Sequence, residues 1–184
     1  GDSRIEGNGV AGYSAVGGGL YAAPLPAGGP LPALHIADTT IAANTATDSG
    51  GDAGGIYIRA VAASFTDVAI DDNRAADDAG GIFAQGGSLM MSGGSLSGNA
   101  TAPGFGSSGG GMFNRGFTRI DGTRIEDNTA GGDGGGLFLE RSAGIANATI
   151  EGNAAGGSGG GIHATDRFLV VSSAILGNSA GQDG

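Results

Sequence analysis

Seven times along this 184-residue chain an aliphatic residue is followed three positions later by asparagine, and the two positions between them collect acids. Glu6, the pair Asp71 and Asp72, the pair Glu126 and Asp127, and Glu151 all occupy such places. Paired carboxylates are the machinery of glycoside hydrolysis, one serving as acid and the other as base or nucleophile at a set separation. A lyase acting on an acidic sugar polymer instead needs a basic residue to take the proton and acids to hold a divalent ion. The sequence assembles neither set. These acids recur because their repeat recurs, no Arg joins them at a recurring position, and the chain has no Lys. His35 and His163 are the only histidines, each without a catalytic neighbour in sequence. Calcium-binding β-rolls use G-G-x-G-x-D, whereas "GGDGGGLFL" at 131–139 has Gly136 in place of the acid, which leaves Asp77 and Asp78 as incidental weak sites at most. The expectation is no catalytic residue, no metal site and no cofactor.

The elements that carry these residues are repeats. "IEGN" at 5–8, "IAAN" at 41–44, "IDDN" at 70–73, "LSGN" at 96–99, "IEDN" at 125–128, "IEGN" at 150–153 and "ILGN" at 175–178 alternate with a second motif. That motif is a glycine pair or triplet before an aliphatic and, in most copies, an aromatic: "GGGLYA", "GGIYIR", "GGIFAQ", "GGGMFNR", "GGGLFLE" and "GGGIHAT". From the aliphatic after the glycines to the next aliphatic-x-x-Asn takes 14, 14, 13, 13 and 13 residues in the last five repeats. From Asn forward to the next such aliphatic takes 12, 12, 9, 13, 9 and 9, so one arc is fixed and the other is a loop. The apolar runs are too short and too interrupted by glycine for helices, and they suit short strands with turns between them. A unit of this size cannot build a core alone but can bury one by stacking. The spacing predicts an all-β fold, a right-handed parallel β-helix of about six coils with about three strands each, in a single domain over residues 1–184. At about 4.8 Å per coil the rod is about 30 Å long.

Each recurring residue then has an expected task. Glycine supplies tight corners and close backbone approach. Asn8, Asn44, Asn73, Asn99, Asn128, Asn153 and Asn178 stack at one corner, where Asn tolerates left-handed backbone and its amide bonds the neighbouring coils. Directly after the glycine-flanked aliphatics Leu20, Ile56, Ile82, Met112, Leu137 and Ile162 comes the column Tyr21, Tyr57, Phe83, Phe113, Phe138 and His163. Adjacent strand residues face opposite ways, so only one column fills the core. The uniform aliphatic column is the better filler. The aromatic column is then an outward apolar stripe, a surface for binding or self-association. An interior aromatic stack is the alternative. In the first coil the fixed arc lengthens to 21 residues through "APLPAGGPLPALH" at 23–35, expected to project as a proline-stiffened loop.

Composition removes further classes. Eight Arg against 18 acids give a net charge of -10, the wrong sign for nucleic acid and for an anionic membrane surface. No apolar run approaches the roughly 20 residues that a spanning helix needs. Cysteine is absent, so neither disulfides nor thiolate metal sites are available.

The alternation of "GGxI/L" with "IxxN" over residues 5–178 resembles the repeats of chlamydial polymorphic membrane proteins and of related bacterial β-helix passenger and surface proteins. The resemblance implies an extracellular or cell-surface β-helix used for adhesion, display or fibre building, often as part of a longer polypeptide. The expected partners are other copies of the chain, with a glycan or host surface protein as the alternative and a polysaccharide lyase or hydrolase as the third reading. Both ends of the chain fall on the same arc of the coil, so head-to-tail stacking into a filament is the expected mode of self-association.

Overall fold

The aliphatic-x-x-Asn segments form one face of the molecule. In the structure, a computed structural model that describes residues 2–24, 33–104 and 106–184, they are seven parallel strands. These strands follow one another in chain order, and their aliphatics are in register from Ile5 through Ile41, Ile70, Leu96, Ile125 and Ile150 to Ile175. A second sheet of seven two-residue strands, Gly9–Val10 to Ser179–Ala180, begins directly after each Asn. The third sheet has ten strands and holds the fixed arc. Ile56–Thr66 and Ile82–Ser92 run through it unbroken, while later coils divide it, as in Met112–Asn114 and Phe117–Asp121. Every pairing is parallel and joins successive coils, so the chain is a β-solenoid of about six turns.

The corners are made by single left-handed residues. The residue before each ladder Asn has φ between 53° and 67°: Gly7, Ala43, Asp72, Gly98, Asp127, Gly152 and Gly177. A second column, Gly17, Ala53, Ala79, Gly109, Gly134 and Gly159, turns the chain into the third sheet. The expectation that Asn itself adopts this conformation is corrected. Asn must leave the corner directly into a strand of the second sheet, so the reversal falls one residue earlier.

The interior is aliphatic and narrow. Ile41, Ile70, Leu96, Ile125 and Ile150 from the first sheet share one cluster with Ile56, Ile82, Met112 and Leu137 and with Phe65, Met91, Ile120 and Ile145 from the two halves of the third. Burying each such side chain stabilises the fold by about 1.5–3 kcal/mol. Near the ladder the coil narrows until backbones touch. A Cβ on Gly111 would lie 2.6 Å from the Gly136 carbonyl oxygen and 3.1 Å from Cγ of Asn128, so the glycine motif is the surface on which the next ladder Asn rests. The two alternating motifs of the sequence are therefore facing partners. One polar pair enters the core: Asn114 Nδ2 donates to Thr118 Oγ1 at 2.6 Å, and Asn114 Oδ1 accepts from the Gly116 amide at 2.6 Å.

The looped segment expected over 23–35 is outside the described residues from 25 to 32. Its last three residues are not loop: Ala33–Ala37 is a strand paired with Ala62–Thr66.

Candidate functional site

The Asn column is a continuous amide ladder. Each inner rung accepts two bonds and donates two. Asn128 Oδ1 accepts from the main-chain amide and the Nδ2 of Asn99, both at 3.0 Å. Its Nδ2 donates back to the Leu96 carbonyl at 2.7 Å and forward to Asn153 Oδ1 at 2.9 Å. The same pattern links Asn8, Asn44, Asn73 and Asn99 before it and Asn153 and Asn178 after it. Asn44, Asn73, Asn99, Asn128 and Asn153 are fully buried. The bonds between rungs share one polarity: the main-chain amide and one Nδ2 N–H of each rung donate to the side-chain oxygen of the following rung, while the second Nδ2 N–H donates back to a main-chain carbonyl of the preceding coil.

The aromatic column stacks face to face, with centroids 4.6–5.4 Å apart from Tyr21 through Tyr57, Phe83, Phe113 and Phe138 to His163. It points away from the aliphatic core, as alternation requires. It is not an open stripe, and the expected exposed contact surface is corrected on this point. Tyr57, Phe83 and Phe113 are only 8%, 2% and 4% exposed, in a second cluster with Ala53 and Ala79 and against Val16. These three small residues arrive from the loop arc and lie against the rings. Phe138 and His163 are half-buried, and Tyr21, at 53%, is the one exposed member. The Arg115 guanidinium stands 4.9 Å from the Phe113 centroid and 5.3 Å from that of Phe83, held by an ion pair of 3.2 Å to Glu140. The Tyr57 hydroxyl donates to Gln85 at 3.1 Å.

The acids divide between scaffold and surface. Glu6, Asp71, Glu126 and Glu151 share one column of the first sheet, while Asp72 and Asp127 occupy the left-handed corner. Asp71 accepts from Ser95 Oγ at 3.0 Å, and Glu126 pairs with Arg124 at 2.6 Å. In the loop arc, Asp78 accepts from the Ser108 amide at 2.8 Å and Asp133 from the Ser158 amide at 2.6 Å. Each of these two carboxylates thus fastens the loop of one coil to that of the next.

A family model described as the right-handed β-helix region matches residues 27–174. The chain belongs to this family. Comparison with curated proteins and with solved structures returns no match. The Asn ladder and the stacked parallel sheets are thus those of a right-handed β-helix, a fold whose members include adhesins, surface proteins and polysaccharide-degrading enzymes.

The β-helix brings together groups that are far apart in sequence. His35 Nδ1 lies 2.5 Å from Ser64 Oγ on the exposed side of the third sheet. Among the described residues, no group of three or more His, Asp or Glu is placed to hold a metal ion. Asp78 is the most perturbed acid. Burial pushes its carboxyl up to about 6, reinforced by Asp77 and Asp52 and opposed by the Ser108 amide and Arg115. Burial raises Asp52 and Asp71 as well. None of these environments is marked by a motif. The only sequence signals are the Asp-Asp pair at 77–78 and an Arg two residues after the aromatic slot.

A folded-state pKa above the unfolded 3.8 means that protonated Asp78 favours the fold. That contribution is complete below about pH 4 and is lost as pH rises through about 6. Solvent screening at this half-buried site reduces it to about 1 kcal/mol. About half of it is gained by pH 5, so the melting temperature is expected to rise by about 1–2 °C on acidification from pH 7.5 to 5. Asp78→Asn keeps the acceptor for Ser108 and should flatten this slope while raising stability at pH 7.5. Thermal melts of the two proteins across that range check it, and an unchanged slope in the variant would remove Asp78 as the source.

Proposed function

We propose that this β-helix is a non-catalytic structural or adhesive module, secreted or displayed at the cell surface, that adds coaxially to further copies of itself. The polarity of the ladder carries the reading: each rung from Asn8 to Asn153 donates from its main-chain amide and Nδ2 to the side-chain oxygen of the next rung, so a coil carrying the same motif is added by the same bonds at every step. The engagement of Asp71, Asp78 and Asp133 in hydrogen bonds between successive coils supports a role without catalysis. The extracellular setting rests on the likeness to surface β-helix repeats.

Electron microscopy of the purified chain over a concentration series tests this. Fibres that lengthen with concentration and show an axial repeat of about 30 Å are expected. Ile175→Lys, which places a charge on the half-exposed aliphatic of the last described coil, should block lengthwise growth. A wild-type chain that stays monomeric throughout the series would refute coaxial assembly. Turnover of an acidic polysaccharide that a single Asp or Arg substitution abolishes would refute the non-catalytic role.

A further inference from the structure

The arginines are not spread evenly around the solenoid. Arg59, Arg115, Arg141 and Arg167 follow the bend between the two halves of the third sheet, and Arg119 stands on the outer face of the second half. These five of the eight basic residues are all exposed. Among the described residues only Arg115 of the five has an ion pair, although the chain carries 18 acids. Asp52 and Asp78 lie near Arg115, and three further acids in this region each have a partner. Glu140 holds Arg115, Asp121 accepts from Asn147 at 2.8 Å, and Asp166 accepts from Ser142 and from the Arg167 amide. Arg59, Arg119, Arg141 and Arg167 therefore form a cationic edge on an anionic molecule.

The first sheet carries the opposite charge in a column of Glu6, Asp71, Glu126 and Glu151, interrupted by Ala42 and Ser97, with Asp72 and Asp127 beside it and with Glu6 and Glu126 paired to Arg4 and Arg124. Edge and column are built on successive coils about 4.8 Å apart along the axis. Arg119 and Arg141 belong to adjacent coils but lie three residues apart along the sheet, Arg119 standing opposite Gly144, whereas Glu126 stands directly opposite Glu151. Two rods with parallel axes can meet with the arginine edge of one against the acidic face of the other.

We propose that copies of the chain pack side by side, the arginine edge of one against the carboxylate column of the next. The inference extends the reading of the protein as a self-assembling module. The contact uses two different surfaces, so it does not close on itself and leaves both surfaces free to continue into a bundle or layer. It is electrostatic and weakens with salt.

Sedimentation velocity and electron microscopy of the 184-residue chain between about 20 and 500 mM salt test it. Single filaments at high salt and bundles at low salt are expected. Arg119→Glu with Arg141→Glu should leave the melting temperature unchanged and weaken lateral association by at least about tenfold, and Glu126→Arg with Glu151→Arg should do the same. An equimolar mixture of the two variants should associate where neither does alone, because the two reversed surfaces complement each other. If the second double variant fails to fold, Glu151→Arg alone takes its place. Bundling that ignores both salt and charge reversal would overturn the proposal. So would capture of poly-glutamate by the arginine edge without association of copies, which would assign that edge to an anionic polymer. Loss of lengthwise growth with side-by-side pairing intact would instead count against the coaxial reading alone.

Discussion

Asn128→Ala is expected to destabilise the protein by about 3–5 kcal/mol, enough to unfold much of it at moderate temperature. The truncation leaves the Asn99 amide and Nδ2 without their acceptor, removes the side-chain donor to the Leu96 carbonyl, and leaves Asn153 Oδ1 with only the main-chain amide of residue 128 as donor. All of these groups lie where water cannot replace the lost bonds. Asn128→Asp keeps the shape but sets an acceptor against two acceptors and buries a charge, so it should be at least as damaging above pH 5. Glu126→Ala, two residues away at the surface, should cost under about 1 kcal/mol, since it loses only its ion pair with a largely exposed Arg124. Denaturant titrations of the three variants give the comparison. Equal midpoints for Asn128→Ala and Glu126→Ala would show that the ladder adds nothing beyond the packing around it.

Gly110→Ala should be worse than its small change in volume suggests. The added Cβ would lie 2.4 Å from the Gly135 carbonyl oxygen and 2.5 Å and 2.6 Å from the carbonyl carbon and oxygen of Thr129, all main-chain atoms fixed by inter-coil hydrogen bonds. Such a collision can be relieved only by separating two coils, at a cost of about 4 kcal/mol or more. Gly144→Ala is the matched control. Its Cβ would meet nothing within 4 Å, on the outer side of a strand. It should be neutral or slightly stabilising, because alanine loses less conformational freedom on folding than glycine. Circular dichroism melts decide the matter, and similar melting temperatures for the two variants would refute the close-approach role of the glycine motif.

The difference between these two glycines shows what the sequence can reveal. Gly110 lies in a run that repeats at a fixed distance from an aliphatic, so its column, like the Asn column, can be read from spacing alone. The residue before each Asn cannot. Its backbone requirement is met by Gly in four coils, Asp in two and Ala in one, so no letter marks it. Alternation separates the aliphatic from the aromatic column and assigns the core to the former. It carries no information about Val16, Ala53 and Ala79, which come from the irregular arc and cover the rings. The pairing of His35 with Ser64, and of Asp78 with Ser108, likewise depends on which residues of successive coils come level. Loop lengths of 9, 12 and 13 residues hide that register from any reading of one coil at a time.

The ladder and sheet bonds all lie along the axis, between one coil and the next, which makes the molecule mechanically anisotropic. Around the circumference, stretch is resisted by covalent backbone; along the axis, it is resisted only by the weak bonds between one coil and the next. A pull on the two ends would therefore detach the outermost coil first and leave the remainder intact, with a fresh rung of asparagine at the new end. The solenoid would lengthen in steps of one coil under load and could rewind from the surviving template when the load is released.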